Sequence, residues 1–208
     1  MISQPLITFM KFIETCLPGA FIIEIEPHVD ARGFFARTFC PDEFRAHGLE
    51  TSLAQCSLSL SREKGTLRGL HFQWAPWGEV KLVRCVRGAI WDVIVDLRPG
   101  SPTFGQHTGV ELSAENRRAF YVPKGFAHGL QTLMEDTEVY YQISHAHVPE
   151  SIAGIQATDP ALGIKWPLPW TQRSDKDLGL PTLAELKDRL IVQDLSGKPA
   201  TERGLKKA

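Results

Sequence analysis

The stretch "LRGLHFQWAPWGEVKLVRCVRG", Leu67 to Gly88, brings an arginine, a histidine and a lysine close together in a strand-rich segment: Arg68, His71 and Lys81. A second histidine, His128, follows the Pro-x-Gly turn of "PKGFAHG". Imidazole exchanges protons reversibly near neutrality. Lys81 opens "KLVRCV", where it alternates with Val83 and Cys85 and so shares their strand face. If that face is inward, a cation lies inside the fold and calls for an anion, either a carboxylate or a substrate oxygen gaining negative charge. Arg68 and Gln73 surround His71 with polar groups where a core strand is apolar. Buried polar groups without partners are costly, so the pattern reads as the lining of a cavity rather than as packing.

Two histidines also raise the question of a metal. A β-barrel metal site takes three or four His, Asp or Glu ligands from adjacent strands. Here the His-x-His spacing is missing, Gln73 stands in its second place, and Glu79 lies beyond the loop "WAPWG". A metal centre built on His71 and His128 is therefore under-supplied and is the weaker reading. Of Tyr140 and Tyr141 in "TEVYYQIS", only one can face inside. Asp159 occupies an Asp-Pro turn in "TDPALGIKWP", where a side chain that closes its own turn is the plain expectation.

The elements that would carry these residues are short. From Ala20 to about Ser144, apolar segments are broken by Gly, Pro and Asp, the pattern of strands. In "AIWDVIVDLRPGSP", Trp91, Val93, Val95 and Leu97 alternate with Ile90, Asp92, Ile94 and Asp96 before Pro-Gly ends the strand. Further strands are expected over 34–39, 52–59, 80–86, 109–112, 119–122 and 138–143, which together make a β-sandwich or barrel. Two helices are expected. "CPDEFRAHG" has Pro and Asp at its start and Gly at its end. "LPTLAELKDRLIVQDL" puts Leu183, Leu186 and Leu190 on one face behind a capping Thr182, and is expected on the barrel exterior. The closing "SGKPATERGLKKA" is expected to be a mobile tail.

Composition bounds the function. With 208 residues, 43% of them hydrophobic, the chain suits one domain. A formal net charge of −1 and a pI near 6.7 supply no basic field for nucleic acid or an anionic membrane surface. An anionic ligand would have to be held by local arginines and lysines. Cys16, Cys40, Cys56 and Cys85 form no CxxC pair, which suits reduced thiols in a cytoplasm. No run reaches membrane-spanning length.

Six runs in fixed order, "DARGFFARTF", "QCSLSLSREKGTLRGLHFQ", "KLVRCVRGAIWDVIVDLRPGSPTFG", "VELSAENRRAFYVPKGFAHGLQTL", "TEVYYQIS" and "TDPALGIKWP", resemble the dTDP-4-dehydrorhamnose 3,5-epimerases over about residues 11 to 170. The resemblance implies an all-β cupin-type jelly roll, a barrel or sandwich with a few short peripheral helices. It implies a homodimer made by exchanging a strand near Phe21 to Ile25, and neither metal nor cofactor. It assigns residues 10–180 to one epimerase domain, with an N-terminal extension before it and the helix and tail after it; Met10 is a candidate start. By the same resemblance His71 is the base, Asp159 its partner carboxylate, Lys81 the enolate stabiliser and Tyr141 the acid. Arg32, Phe35, Arg37, Gln55, Ser57, Arg68 and His128 match positions that bind the sugar or the nucleotide diphosphate. The substrate implied is a nucleotide-linked 4-keto-6-deoxy sugar, as in L-rhamnose supply.

The chain departs from the family pattern at Gln55-Cys56-Ser57, where Gln-Asp-Asn is usual, and at Arg37, where Glu is usual. His147 stands in place of a pocket tyrosine, and Gln156-Ala157 in place of Arg-Trp. Two other classes remain: a metal-dependent cupin enzyme using His71 and His128, and a non-catalytic binder of sugar nucleotides.

Overall fold

Alternating apolar residues build two sheets in the computed structural model, which describes residues 9–192, with side chains through residue 190. In chain order the elements are β1 (Met10–Glu14), β2 (Phe21–Ile25), β3 (His28–Asp30), β4 (Gly33–Phe35), helix α1 (Pro41–Ala46), β5 (Gln55–Ser61), β6 (Leu67–Gln73) and β7 (Lys81–Arg87). They continue with β8 (Ala89–Asp96), β9 (His107–Ser113), β10 (Ala119–Val122), β11 (Phe126–Thr132), β12 (Thr137–Ile143), β13 (Ile152–Gly154) and helices α2 (Asp175–Leu178) and α3 (Leu183–Val192). Six strands form one sheet in the order β1-β2-β10-β7-β12-β5, and five form the other in the order β13-β6-β11-β8-β9. The fold is the expected all-β cupin-type sandwich with short helices outside it.

Three apolar clusters hold it together. Val83, Cys85, Ile90, Ile94, Phe120, Leu130 and Val139 come from both sheets and fill the space between them. Leu70, Phe72 and Trp74 lie on the other side of the five-stranded sheet, where Leu186 and Leu190 of α3 cover them. Ile23, Leu82 and Tyr121 lie outside the six-stranded sheet beneath Phe44 of α1. Period-2 alternation in β8 accounts for two of these clusters at once, sending Ile90 and Ile94 inward and Val95 outward.

Both expected helices form. Thr182 caps α3 through a reciprocal box, in which Thr182 Oγ1 accepts from Glu185 N and Glu185 Oε2 accepts from Thr182 N at 2.7 Å. The expected strand over 34–39 is cut to Gly33–Phe35, paired only with β3 in a two-stranded hairpin. Beyond it Arg37 turns to an ion pair with Glu43 on α1. The strand expected to be exchanged, Phe21–Ile25, is not an edge in the single chain: β1 and β10 flank it, and β1 is the edge. The expected tail and residues 1–8 of the N-terminal extension lie outside the described residues.

Candidate active site

Cross-strand register explains how the polar residues meet. In the six-stranded sheet Ile143 pairs with both Gln55 and Lys81, and the next inward row joins Ser57, Tyr141 and Val83. Lys81, Val83 and Cys85 do share the inward face. In the five-stranded sheet His128 is the direct partner of His71. A register shift between β6 and β11 then pairs Leu130 with Arg68, so that two residues of β6, Gly69 and Leu70, lie opposite Gly129 alone. The shift turns Arg68 and His71, three apart, toward one cavity. It requires Gly69, whose φ is +105° and where an added Cβ would lie 2.7 Å from the His128 carbonyl oxygen.

The cavity has a volume of about 910 Å³ and lies between the sheets. His71 and His128 line one wall, Tyr141, Lys81, Gln55 and Ser57 the other, and Arg68 its rim. His71 Nε2 is 2.6 Å from Asp177 Oδ1, and Gly69 N donates to Asp177 Oδ2. Burial alone would raise the Asp177 carboxyl, but the hydrogen bond and charge of His71, with the Gly69 amide, outweigh it and hold the carboxyl below its ordinary value. An ionised Asp177 accepts from His71 Nε2–H, and in the neutral imidazole this leaves the lone pair on Nδ1. Asp177 is placed by α2, where Ser174 Oγ accepts from its backbone N–H and caps the helix.

His128 forms a second such pair, with Nε2 2.8 Å from Asp92 Oδ1. Asp92 is fully buried, and burial pushes its carboxyl up against the opposing pull of His128. The His128 ring also meets the Tyr141 ring edge-on at 6.2 Å between centroids. Burial pushes the Tyr141 phenol up to about 12. Lys81 Nζ lies 3.0 Å from Glu79 Oε1. Among the described residues no three His, Cys, Asp or Glu side chains converge as a metal-binding set.

Of the residues singled out in the sequence, His71, Lys81, Tyr141, Gln55, Ser57, Arg68 and His128 share this cavity. Asp159 does not. Its Oδ1 accepts from Ala161 N at 2.9 Å and its Oδ2 from Leu183 N at 2.7 Å, so it closes its own turn and fastens the start of α3. The carboxylate beside His71 is Asp177. Arg32, Phe35 and Arg37 also lie outside the chain's own cavity. The Arg32 side chain is 91% exposed on the β3–β4 hairpin and paired with Asp30, Phe35 is 70% exposed, and Arg37 is held by Glu43. Sequence reasoning missed Asp177 and Asp92. Asp92 had a signal, since alternation put a carboxylate on the face of Ile90 and Ile94, where it must find a partner. Asp177 had none, being 106 residues from His71.

The family model described as dTDP-4-dehydrorhamnose 3,5-epimerase matches residues 14–185. A dTDP-4-dehydrorhamnose 3,5-epimerase of Methanothermobacter thermautotrophicus is 47% identical over 195 residues, 92% of this chain and 95% of that one. Among solved structures, dTDP-6-deoxy-D-glucose-3,5-epimerase from Legionella pneumophila in complex with dTDP-4-keto-L-rhamnose matches with a TM-score of 0.82 and 40% identity, over 88% of this chain and 97% of that one. ChmJ, a 3'-monoepimerase from Streptomyces bikiniensis in complex with dTDP-quinovose, matches with a TM-score of 0.79 and 36% identity, over 85% and 90%. The residues that meet in the cavity thus stand in a chain that belongs to the dTDP-4-dehydrorhamnose 3,5-epimerase family.

Proposed function

We propose that the chain is a cofactor-free isomerase that inverts a nucleotide-linked 4-keto-6-deoxy sugar, of the dTDP-4-dehydro-6-deoxyglucose kind, in deoxysugar biosynthesis leading to L-rhamnose. The observation that carries the reading is a histidine–carboxylate pair and a tyrosine on opposite walls of one cavity: His71 of the five-stranded sheet with Asp177 of α2, and Tyr141 of the six-stranded sheet. The C–H bonds flanking a C4 ketone are acidic because the carbanion delocalises onto the ketone oxygen. Inversion then needs removal of a proton on one face and return on the other. His71 Nδ1 removes the proton, and Asp177 fixes the tautomer and stabilises the cation that forms. Lys81 and Arg68 hold the developing enolate oxygen, and the Lys81 side chain, only 12% exposed, does so where little water competes. Tyr141, protonated well above neutrality, returns a proton from the other wall. Gln55, Ser57 and His128 contact the sugar and diphosphate. The scheme moves protons only.

We further infer a homodimer acting in the cytoplasm. The β3–β4 hairpin exposes Val29, Phe34 and Phe35, and the outer face of β5 exposes Leu58 and Leu60, apolar surface that a second copy would cover. Arg32 and Phe35 would then reach a neighbour's cavity rather than their own. No helix among the described residues is long and apolar enough to cross a membrane. Residues 10–180 would act as one domain.

The test is direct. Purified chain incubated with dTDP-4-dehydro-6-deoxyglucose should invert C3, C5 or both, read by proton NMR, and His71→Asn should abolish this while keeping the fold. Wild-type rates in His71→Asn would refute the assignment of the base.

A further inference from the structure

Lys81 is not alone in the cavity wall. Its ammonium and the Glu79 carboxylate lie 3.0 Å apart, with side chains only 12% and 11% exposed. The second Glu79 oxygen, Oε2, accepts from Gln73 Nε2 at 3.0 Å. Gln73 is itself fixed in sense, because its Oε1 accepts from Val148 N at 2.9 Å and from Ser151 Oγ at 3.1 Å. The Val148 N–H can only donate, so the Gln73 amide must turn its oxygen to it and point its NH₂ toward Glu79. Residue 79 therefore faces two donors at once, an ammonium and an amide. A carboxylate offers an acceptor to each, whereas an amide offers one acceptor and sets its own NH₂ against the other donor.

We propose that Glu79 is a positioning residue for Lys81, holding the ammonium where the C4 oxygen gains charge and tying it to the 146–151 segment that carries His147. The inference rests on the reading of Lys81 as enolate stabiliser. The chain of contacts runs from the turn at Val148 and Ser151 through Gln73 and Glu79 to Lys81. The segment whose His147 lines the cavity and the cation that serves the reaction thus share one hydrogen-bonded path. Lys81 has four rotatable side-chain bonds, and a misplacement of about 1 Å costs about 10²-fold in rate. Glu79 supplies the constraint that sheet packing does not give the end of a lysine.

The experiment is a double-mutant cycle of wild type, Glu79→Gln, Lys81→Met and the double variant, with kcat and KM measured on dTDP-4-dehydro-6-deoxyglucose. Retained binding of dTDP by all four checks the fold. Glu79→Gln should lower kcat about tenfold or more with KM within about threefold, since the interaction acts on the transition state. Lys81→Met should lower kcat about 10²- to 10³-fold. In the Lys81→Met background, Glu79→Gln should change kcat by less than about twofold, because its target is gone. An impaired Lys81→Met with the same Glu79→Gln loss in both backgrounds would overturn the positioning role alone, as would an unchanged kcat in Glu79→Gln. Wild-type kcat in Lys81→Met would overturn the underlying reading of the enolate contact.

Discussion

Replacing Asp177 by asparagine separates the carboxylate that contacts His71 from Asp159, the one that does not. Asp177 uses both oxygens, Oδ1 toward His71 Nε2 and Oδ2 toward the Gly69 amide. Asparagine has one acceptor. If its oxygen keeps Gly69 N–H, its NH₂ faces His71 Nε2, which must then carry the lone pair; Nδ1 is protonated and the base is silent. If it turns instead to accept from His71, its NH₂ confronts the Gly69 amide, at a cost of about 1–3 kcal/mol for the unpaired donor, so that about one molecule in 5 to 150 is active. That active fraction also lacks the negative charge beside the imidazolium, about 1.5–3 kcal/mol more. The product is a fall in kcat of about 10²- to 10⁴-fold, with the fold retained. The assay is proton NMR of the sugar nucleotide in Asp177→Asn and Asp159→Asn side by side. Asp159→Asn loses one of two backbone contacts, about 1–2 kcal/mol of stability, and should keep kcat within about threefold. A folded Asp177→Asn at wild-type rate, or an Asp159→Asn silenced without unfolding, would refute the reasoning.

Tyr141→Phe keeps the aromatic bulk but removes the acid, so exchange of the sugar C–H with solvent should outlast inversion; equal loss of both would leave Tyr141 without the role. Because burial raises the Tyr141 phenol to about 12, the acid form persists through alkaline pH and the falling limb of kcat that it causes should lie above pH 11. An alkaline loss at about pH 9–10 that vanishes in Tyr141→Phe would contradict this. Gly69→Ala should destabilise the fold by about 2 kcal/mol or more and depress activity, since the added Cβ meets the His128 carbonyl oxygen at a positive φ; an unshifted melting temperature would count against the bulge as a required feature. Light scattering at micromolar concentration should give the mass of a dimer, and a monomer mass would remove the partner's Arg32 from the proposed site.

Period-2 alternation made much of the sandwich readable. It placed Lys81 with Val83 and Cys85, and Ile90 with Ile94, because each strand has one face toward a core that excludes water. The meeting of Arg68 with His71 was visible only as a cluster of polar types, since their spacing of three opposes strand periodicity until a bulge intervenes. Asp159 was read as the base's partner by analogy of an Asp-Pro turn, whereas an N–H of its own turn claims one of its oxygens and the first N–H of α3 claims the other. Asp177 arrives from a four-residue helix after the last long strand, and no local pattern ties such a helix to β6. Arg32 and Phe35 were read as pocket residues by the same resemblance, whereas the β3–β4 hairpin holds both at the surface, away from the chain's own cavity.

The central claim is that inversion proceeds by proton removal and return at carbons beside the ketone. The most direct test is turnover of dTDP-4-dehydro-6-deoxyglucose by the wild-type chain in deuterated water, with NMR of the recovered sugar. The account predicts deuterium at every inverted carbon, at C3 and C5 for a double epimerase and at one of them for a single-centre enzyme. Inverted product that retains its original hydrogen at the inverted carbon would contradict it.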